Sequence, residues 1–261
     1  MGAKTHTIPE ALRETVERWL ERFGESDRKS DLQRIVASSE FAGSVLLRNR
    51  DWFLENVATF AEPPDANRLD QLVDEDAGVD AAKAALRRFR NRFMLHVLWR
   101  EVMKLADLDE TLTSLTMLAD RSLAAAMRVA ERTLLARFGV VRNEDGDKIP
   151  LVVLGMGKLG GTELNFSSDI DIIFLYPEDG TTDGPRQASA QEYFGRLTRQ
   201  VIALLDERTA DGFVFRTDTR LRPFGDSGPP VVSFSALESY LLQHGRDWER
   251  YAYVKARIVG E

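Results

Sequence analysis

Residues 151–175 read LVVLGMGKLGGTELNFSSDIDIIFL. An apolar run leads into a glycine-rich turn, and Ser167-Ser168 then precede a second apolar run that carries Asp169 and Asp171. Side chains alternate across a β-strand. Asp169 and Asp171 are therefore predicted to share one face of a strand over 169–176, while Ile170 and Ile172 point into a core. Two carboxylates fixed side by side repel each other, and their oxygens suit a hard divalent cation. The turn upstream is rich in backbone N–H groups of the kind that hold phosphate. The combination points to metal-dependent chemistry on a nucleotide or phosphate.

Each part has a plainer reading. Gly155, Gly157, Gly160 and Gly161 surround Lys158, and residues 155–160 match GxGxxG as a string. The pattern is not a Walker A loop. About ten residues separate it from the next strand, where a Rossmann unit needs about thirty. The glycines alone would fit a simple tight turn. Aspartate is depleted in strand interiors, so the alternative for Asp169 and Asp171 is a polar face exposed to water. That alternative leaves Ser167-Ser168 and the turn unexplained.

A second alternating stretch, FVFRTDTRL at 213–221, is predicted as a strand starting at Gly212. It puts Arg216, Asp218, Arg220 and Arg222 on one face, and Phe215, Thr217 and Leu221 on the other. This is either a salt-bridged sheet face or a metal and phosphate site. Beside a strand bearing Asp169 and Asp171, a third carboxylate suits two-metal chemistry, and arginine forks suit phosphate oxygens. Residues 246–257 are dense in charge and read equally as a solvated amphipathic helix. His96 and His244 receive no role.

Upstream, residues 1–139 read as helical. Thr7 and Glu10 match a capping box, and Leu12, Val16, Trp19, Leu20 and Phe23 follow at helical spacing up to Gly24. Further helices are predicted over 31–38, as two short ones within 40–60, over 79–105, and from a second capping box at Asp107 and Glu110 to Gly139. EPPDAN at 62–67 is a break. From Val140 the pattern changes to strands: a turn at 143–147 whose spacing does not match an EF-hand, a strand over 150–154, a polar loop over 177–188, a helix through Tyr193 to Leu205, a rigid loop over 223–230, a short strand over 231–234 and a helix over 236–243.

The 261 residues allow one large domain or two smaller ones. A net charge of −7 excludes a global basic footprint for nucleic acid. The cluster Arg87, Arg88, Arg90 and Arg92 is predicted to be the solvated face of a helix. There is no cysteine, which removes thiolate metal sites and thiol nucleophiles and fits a reducing compartment. The first twenty residues lack a signal-peptide core, His6 spoils a myristoylation start, and no apolar run reaches membrane-span length. The expectation is a cytoplasmic protein with neither membrane nor nucleic-acid partner.

Three stretches together, GMGKLGGTELNFSSDID (155–171), DTRLRPFGDSGP (218–229) and GRDWERYAYVKAR (245–257), resemble the bifunctional glutamine synthetase adenylyltransferase/adenylyl-removing enzymes of bacteria. The likeness is strong over roughly 140–260. It implies an α+β architecture: a helical region, 1–139, followed by a catalytic domain, 140–261, with the mixed sheet and flanking helices of nucleotidyltransferases related to DNA polymerase β. The wording of the motifs looks like the N-terminal half of that family. This half removes AMP from an adenylylated tyrosine of glutamine synthetase, taking phosphate and releasing ADP, and so regulates nitrogen assimilation. The other activity, ATP-dependent adenylylation of glutamine synthetase, is the alternative. A non-catalytic module docking on glutamine synthetase or a PII signalling protein through 1–139 is a third.

The resemblance further implies that Asp169, Asp171 and Asp218 bind Mg²⁺ or Mn²⁺ and are the catalytic carboxylates. Gly155, Gly157, Lys158, Gly160, Gly161, Ser167 and Ser168 would hold phosphate or nucleotide. Arg220 and Arg222 would orient phosphate oxygens or brace the sheet. Family members continue past the VKARIVG segment, so the chain is expected to be truncated, without the family's C-terminal helical part.

Overall fold

In a computed structural model, which describes residues 8–73 and 78–260, the first 65 residues build helices from short amphipathic segments. Helix α1 (Glu10–Phe23) buries Val16, Trp19 and Phe23, and Pro9 stands at its N-cap; Thr7 of the expected capping box lies outside the described residues. Helices α2 (Lys29–Ser38), α3 (Glu40–Arg48) and α4 (Arg50–Asn56) follow, with a 3₁₀ turn over Val57–Ala61. The Ser39 hydroxyl accepts the Ala42 N–H at 3.2 Å and starts α3. After α5 (Arg68–Leu72) come two long helices, α6 (Val79–Val102) and α7 (Leu108–Phe138). Asp107 accepts the Glu110 N–H at 2.8 Å. The reciprocal half of the expected box is replaced, because Glu110 turns to Arg100 at 2.6 Å.

Packing groups the described residues into two compact units. One holds those up to Asp65 together with Asn91–Ser114, the other Ala66–Arg90 together with those from Leu115. This grouping differs from a division at residue 139. The first unit has an aromatic core in which Phe53 meets Phe23, Phe60 and Trp99 edge-on or tilted at 5.3–6.2 Å. Trp19 donates its indole N–H to the Gly43 carbonyl at 2.9 Å. His96 stacks on Phe60 at 4.1 Å.

The second unit holds the sheet. Strand β1 (Val141–Arg142) pairs antiparallel with β4 (Thr181–Thr182), and the main sheet comprises β2 (Val152–Gly155), β3 (Ile170–Tyr176), β5 (Thr217–Asp218), β6 (Val231–Ser233) and β7 (Arg257–Val259). Its order is β5-β3-β2-β7; β2 is antiparallel to β3 and β7, while β5 and β6 lie parallel to β3 at its two ends. A short helix, α8 (Gly157–Gly160), forms the turn after β2. Helix α9 (Ala190–Asp206) covers one face, with Phe194 stacked on Tyr176 at 5.5 Å. On the other, Met156, Ile173, Leu175 and Val232 pack with residues of α10 (Phe234–Gln243) and α11 (Asp247–Ala252). The architecture is α+β, as expected.

Four local expectations need correction. The stretch over 212–221 is not a long strand, because its backbone is engaged elsewhere. The N–H groups of Val214 and Phe215 donate to Leu205 at the end of α9. The Asp218 carboxylate captures the Arg220 N–H at 2.9 Å, an Asx-type turn that competes with a ladder. The loop over 177–188 contains β4, held by β1. Residues 246–257 do not form one helix: a 3₁₀ turn at Tyr253–Lys255 ends α11, and the chain then enters the sheet as β7.

The arginine cluster of α6 is not a solvated face either. Only Arg88 of the four is exposed. Arg92 lies over Trp52 at 4.7 Å and donates to Asn49 at 3.0 Å. Arg87 is fully buried. Its guanidinium donates to the carbonyls of Lys83 (3.0 Å), Leu204 (3.1 Å), Gly212 (2.9 Å) and Glu207. Leu204 and Glu207 belong to the end of α9, whose last carbonyls have no partner within the helix. Arg87 thus caps α9 from a neighbouring helix.

Truncating Arg87 should leave buried carbonyls without donors. Arg87→Ala is expected to cost on the order of 3–5 kcal/mol, as for a broken buried charge network, and to lower the melting temperature by about 10 °C. Arg87→Lys should recover little, since one ammonium cannot span four carbonyls. A thermal melt of the three proteins checks this.

Candidate functional site

The parallel pairing of β3 with β5 sets Ile170 opposite Thr217 and Asp171 opposite Asp218. Two carboxylates therefore sit on neighbouring strands at one register position. Asp169 immediately precedes β3 and is exposed. Its carboxylate pairs with the Arg216 guanidinium, which also donates to the Ser167 carbonyl at 3.0 Å. Asp218 is clamped by Arg220, whose Nε lies 3.0 and 2.9 Å from the two carboxylate oxygens. Asp171 has no ion pair among the described residues. It is the one residue of β3 that is not buried.

These environments separate the acidities. Partial burial raises the Asp171 pKa above the usual carboxylate range, and the negative charges of Asp218 and Asp169 raise it further. The hydrogen bond from Arg220 holds Asp218 below that range.

The glycine turn is fastened to the backbone of the same residue. The Met156 N–H donates to the Asp171 carbonyl at 2.8 Å. Gly157 has φ +51°, and a Cβ there would stand 3.2 Å from Asp171 Oδ2. Gly160 is enclosed: a Cβ there would overlap the carbonyls of Lys255 and Gly155. The N–H groups of Gly160 and Gly161 donate within the turn, to Met156 and Gly157 at 3.0 Å. Gly155 packs against Val259 and Leu159. The glycines are thus needed first for close packing, and only the start of the turn, at Gly157 and the exposed Lys158, faces the carboxylates.

The serines divide. Ser167 is exposed. Ser168 donates its hydroxyl to Asn165 Oδ1 at 2.7 Å, closing a local loop. Arg222 braces its own loop, bonding the Thr219 carbonyl (2.9 Å) and hydroxyl (2.6 Å), while its charge adds to the lowering of the Asp218 pKa. Asn165 is a residue that sequence reasoning missed. Its spacing to Ser168, in a stretch of turn-forming residues, was the available signal. Lys255 and Arg257 were also missed as neighbours of the turn: Lys255 pairs with Glu163 at 2.7 Å, and Arg257 holds Asp120 at 2.9 and 3.0 Å and the Leu159 carbonyl at 3.2 Å.

Among the described residues, no three metal-ligating side chains are gathered into a finished cage. The donor chemistry nevertheless fits a hard cation: three carboxylates and no softer ligand. Asp171, held by burial and two like charges, is the group whose repulsion a cation would relieve.

Comparison with known proteins decides the lineage. Residues 29–261 match the family model for glutamate-ammonia ligase adenylyltransferase. The chain belongs to this family. A bifunctional glutamine synthetase adenylyltransferase/adenylyl-removing enzyme of Thioalkalivibrio sulfidiphilus is 43% identical over 267 residues, covering 97% of this chain and 28% of the relative. Enzymes of the same description from Shewanella frigidimarina and Shewanella loihica are 41% and 38% identical, over 89% and 97% of the chain. The chain thus spans little more than a quarter of the length of these relatives. Membership assigns the sheet and its helices to a nucleotidyltransferase-type fold. Among the described residues, no helix is long and apolar enough to cross a membrane.

The Asp171 environment makes a prediction about stability. A carboxyl whose folded pKa is raised destabilises the native state when ionised, and the penalty is relieved as pH falls through that pKa. In a chelator at pH 7, Asp171→Asn is therefore expected to melt above the parent protein. The gap should close as pH falls below the ordinary carboxylate range, where both forms are neutral. Gly160→Ala should move the opposite way at every pH, losing about 1–3 kcal/mol by overpacking. Melts of both variants across pH test the pair of effects.

Proposed function

We propose that this chain carries the adenylyl-removing activity: phosphorolysis of the AMP–tyrosine bond of adenylylated glutamine synthetase. The observation that carries the reading is the register that sets Asp171 opposite Asp218, with Asp169 two residues away and the glycine turn bonded to Asp171. Support for this half of the bifunctional reaction comes from the wording of residues 164–174 and 245–257, which resembles the adenylyl-removing half.

In the reaction, an oxygen of inorganic phosphate forms a bond to the α-phosphorus in line with the tyrosyl oxygen. The tyrosyl P–O bond breaks, ADP leaves, and the tyrosine oxygen takes up a proton. The attacking phosphate is already an anion, so the site has little need of a strong base. Asp169, Asp171 and Asp218 would hold Mg²⁺ or Mn²⁺, which when bound supplies positive charge to the phosphoryl oxygens and the leaving oxygen. Asp171 is the anchor, being fixed by its strand and unpaired. Arg216 and Arg220 hold the other two carboxylates in the free protein and would turn to phosphate oxygens when ligands enter. Lys158 and the first N–H groups of the turn contribute further positive charge. Glutamine synthetase is the protein partner in this reading, and a PII protein a regulatory one.

The test mixes the protein with adenylylated glutamine synthetase, Mg²⁺ and phosphate and follows ADP. Release of ADP that falls by at least ~10³-fold in Asp169→Asn and Asp171→Asn, as expected for lost charge stabilisation of a phosphoryl transfer, supports the reading. An Asp171→Asn protein as active as the parent would remove the carboxylates from the mechanism. A parallel arm with unmodified glutamine synthetase and ATP, following pyrophosphate, distinguishes adenylylation at the same site. Binding of glutamine synthetase with neither product would make the chain a docking module.

A further inference from the structure

The C-terminal turn of α7 and the facing side of α9 gather arginines that the carboxylate site does not use. Arg137, Arg196 and Arg199, with Thr133 and Gln200, line a cavity of about 440 Å³. This is within the range of small-ligand pockets. Beneath it lies the buried Phe138 ring, with the guanidiniums of Arg137, Arg196 and Arg186 at 5.4, 5.6 and 5.6 Å from its centroid.

Four guanidiniums thus crowd one surface of a chain whose net charge is −7. Among the described residues, only Arg196 forms an ion pair with a carboxylate, Glu192 at 2.8 Å, whose charge Arg186 also feels at longer range. Arg137, Arg186 and Arg199 have no ion pair among the described residues. Nor are they needed to cap α7. Its last carbonyls already have backbone donors: Gly139 to Leu135 (2.8 Å), Arg186 to Arg137 (3.0 Å) and Gly184 to Phe138 (2.9 Å). One aromatic ring has two faces and cannot compensate the mutual repulsion of three cations. The patch carries unbalanced positive charge in fork geometry, which matches phosphate and carboxylate groups.

We propose that this cavity binds a small polyanion bearing several phosphate or carboxylate groups, as an effector or ligand site separate from Asp169, Asp171 and Asp218. Arg137 and Arg199 bind it directly, Arg196 exchanges Glu192 for it, and the Gln200 amide, whose oxygen is held by the Thr133 hydroxyl, donates a neutral hydrogen bond. The site does not depend on which reaction the carboxylates perform.

Calorimetry and thermal melts in a chelator, at constant ionic strength, test it with tripolyphosphate and with citrate. The chelator removes metal-assisted phosphate binding at the carboxylates, and any binding left there is unchanged in a variant altered only at Arg137 and Arg199. The expected result is saturable binding of at least one anion with a dissociation constant below about 1 mM, weakened at least tenfold in Arg137→Gln/Arg199→Gln. The two anions tell polyphosphate from polycarboxylate. The double variant should melt no lower than its parent when no anion is present, because it loses like-charge repulsion rather than a cap. Absence of saturable binding by both anions, or equal binding by the double variant, would overturn the site and leave the arginines as solvated surface.

Discussion

Like-charge repulsion between Asp171 and Asp218 is the constraint around which the second unit is arranged. Their strands pair over two residues only. Such a short ladder could not hold two carboxylates together without help. The help comes from outside the sheet. Arg87 gathers the end of α9 and the Gly212 carbonyl. Val214 and Phe215 then bond back to Leu205. This fixes the path of the chain into Arg216 and Asp218, so that the position of a carboxylate depends on a buried arginine in a distant part of the sequence. On the other side, Asp171 cannot retreat, because the rest of β3 is buried and the glycine turn is bonded to its carbonyl.

The sequence made the element types and the candidate carboxylates legible because both rest on local periodicity. The apolar alternation around Asp169 and Asp171, the 3.6-residue spacing of α1 and α6, and glycine as a helix stop at Gly24 and Gly139 are all local signals. What failed was non-local. The pattern over 213–221 alternates as a strand should, yet backbone donors there go to α9 and to the side chain of Asp218. The arginines of α6 sit in a polar-looking pattern, yet Arg87 is buried because the helix end that needs it lies more than a hundred residues later. Strands β4 and β7 were missed because short edge segments carry too few residues to show a period. At the site, the glycines were read for phosphate, whereas Gly155 and Gly160 are demanded by close packing; that distinction needs the position of Lys255 and Val259, which the sequence does not reveal.

Arginine does three different jobs in this chain, and the difference is one of acceptors. Arg87 and Arg100 are buried and held by carbonyls, with Arg100 also forked to Glu110. They are structural, since a buried guanidinium held by four or five protein acceptors has little capacity for a ligand. Arg137 and Arg199 have no ion pair among the described residues. Arg216 and Arg220 are intermediate: exposed, and paired with carboxylates that have a second use.

That intermediate state bears on how the site can switch. Three carboxylates carry three negative charges, and Arg216 and Arg220 balance two of them. The remaining charge rests on Asp171, the least hydrated of the three, where burial and its neighbours press it toward protonation. If the site takes a divalent cation as proposed, a proton and that cation would compete for the same oxygens. In the proposed reaction, a cation held by these carboxylates would free the two guanidiniums of Arg216 and Arg220, which would then have phosphate oxygens to move to. The ion pairs of the free protein thus keep the carboxylates folded together without a metal. In the proposed reaction they would also hold in reserve positive charge for the phosphate and the adenylyl group, and surface pairs of this kind are weak enough to exchange.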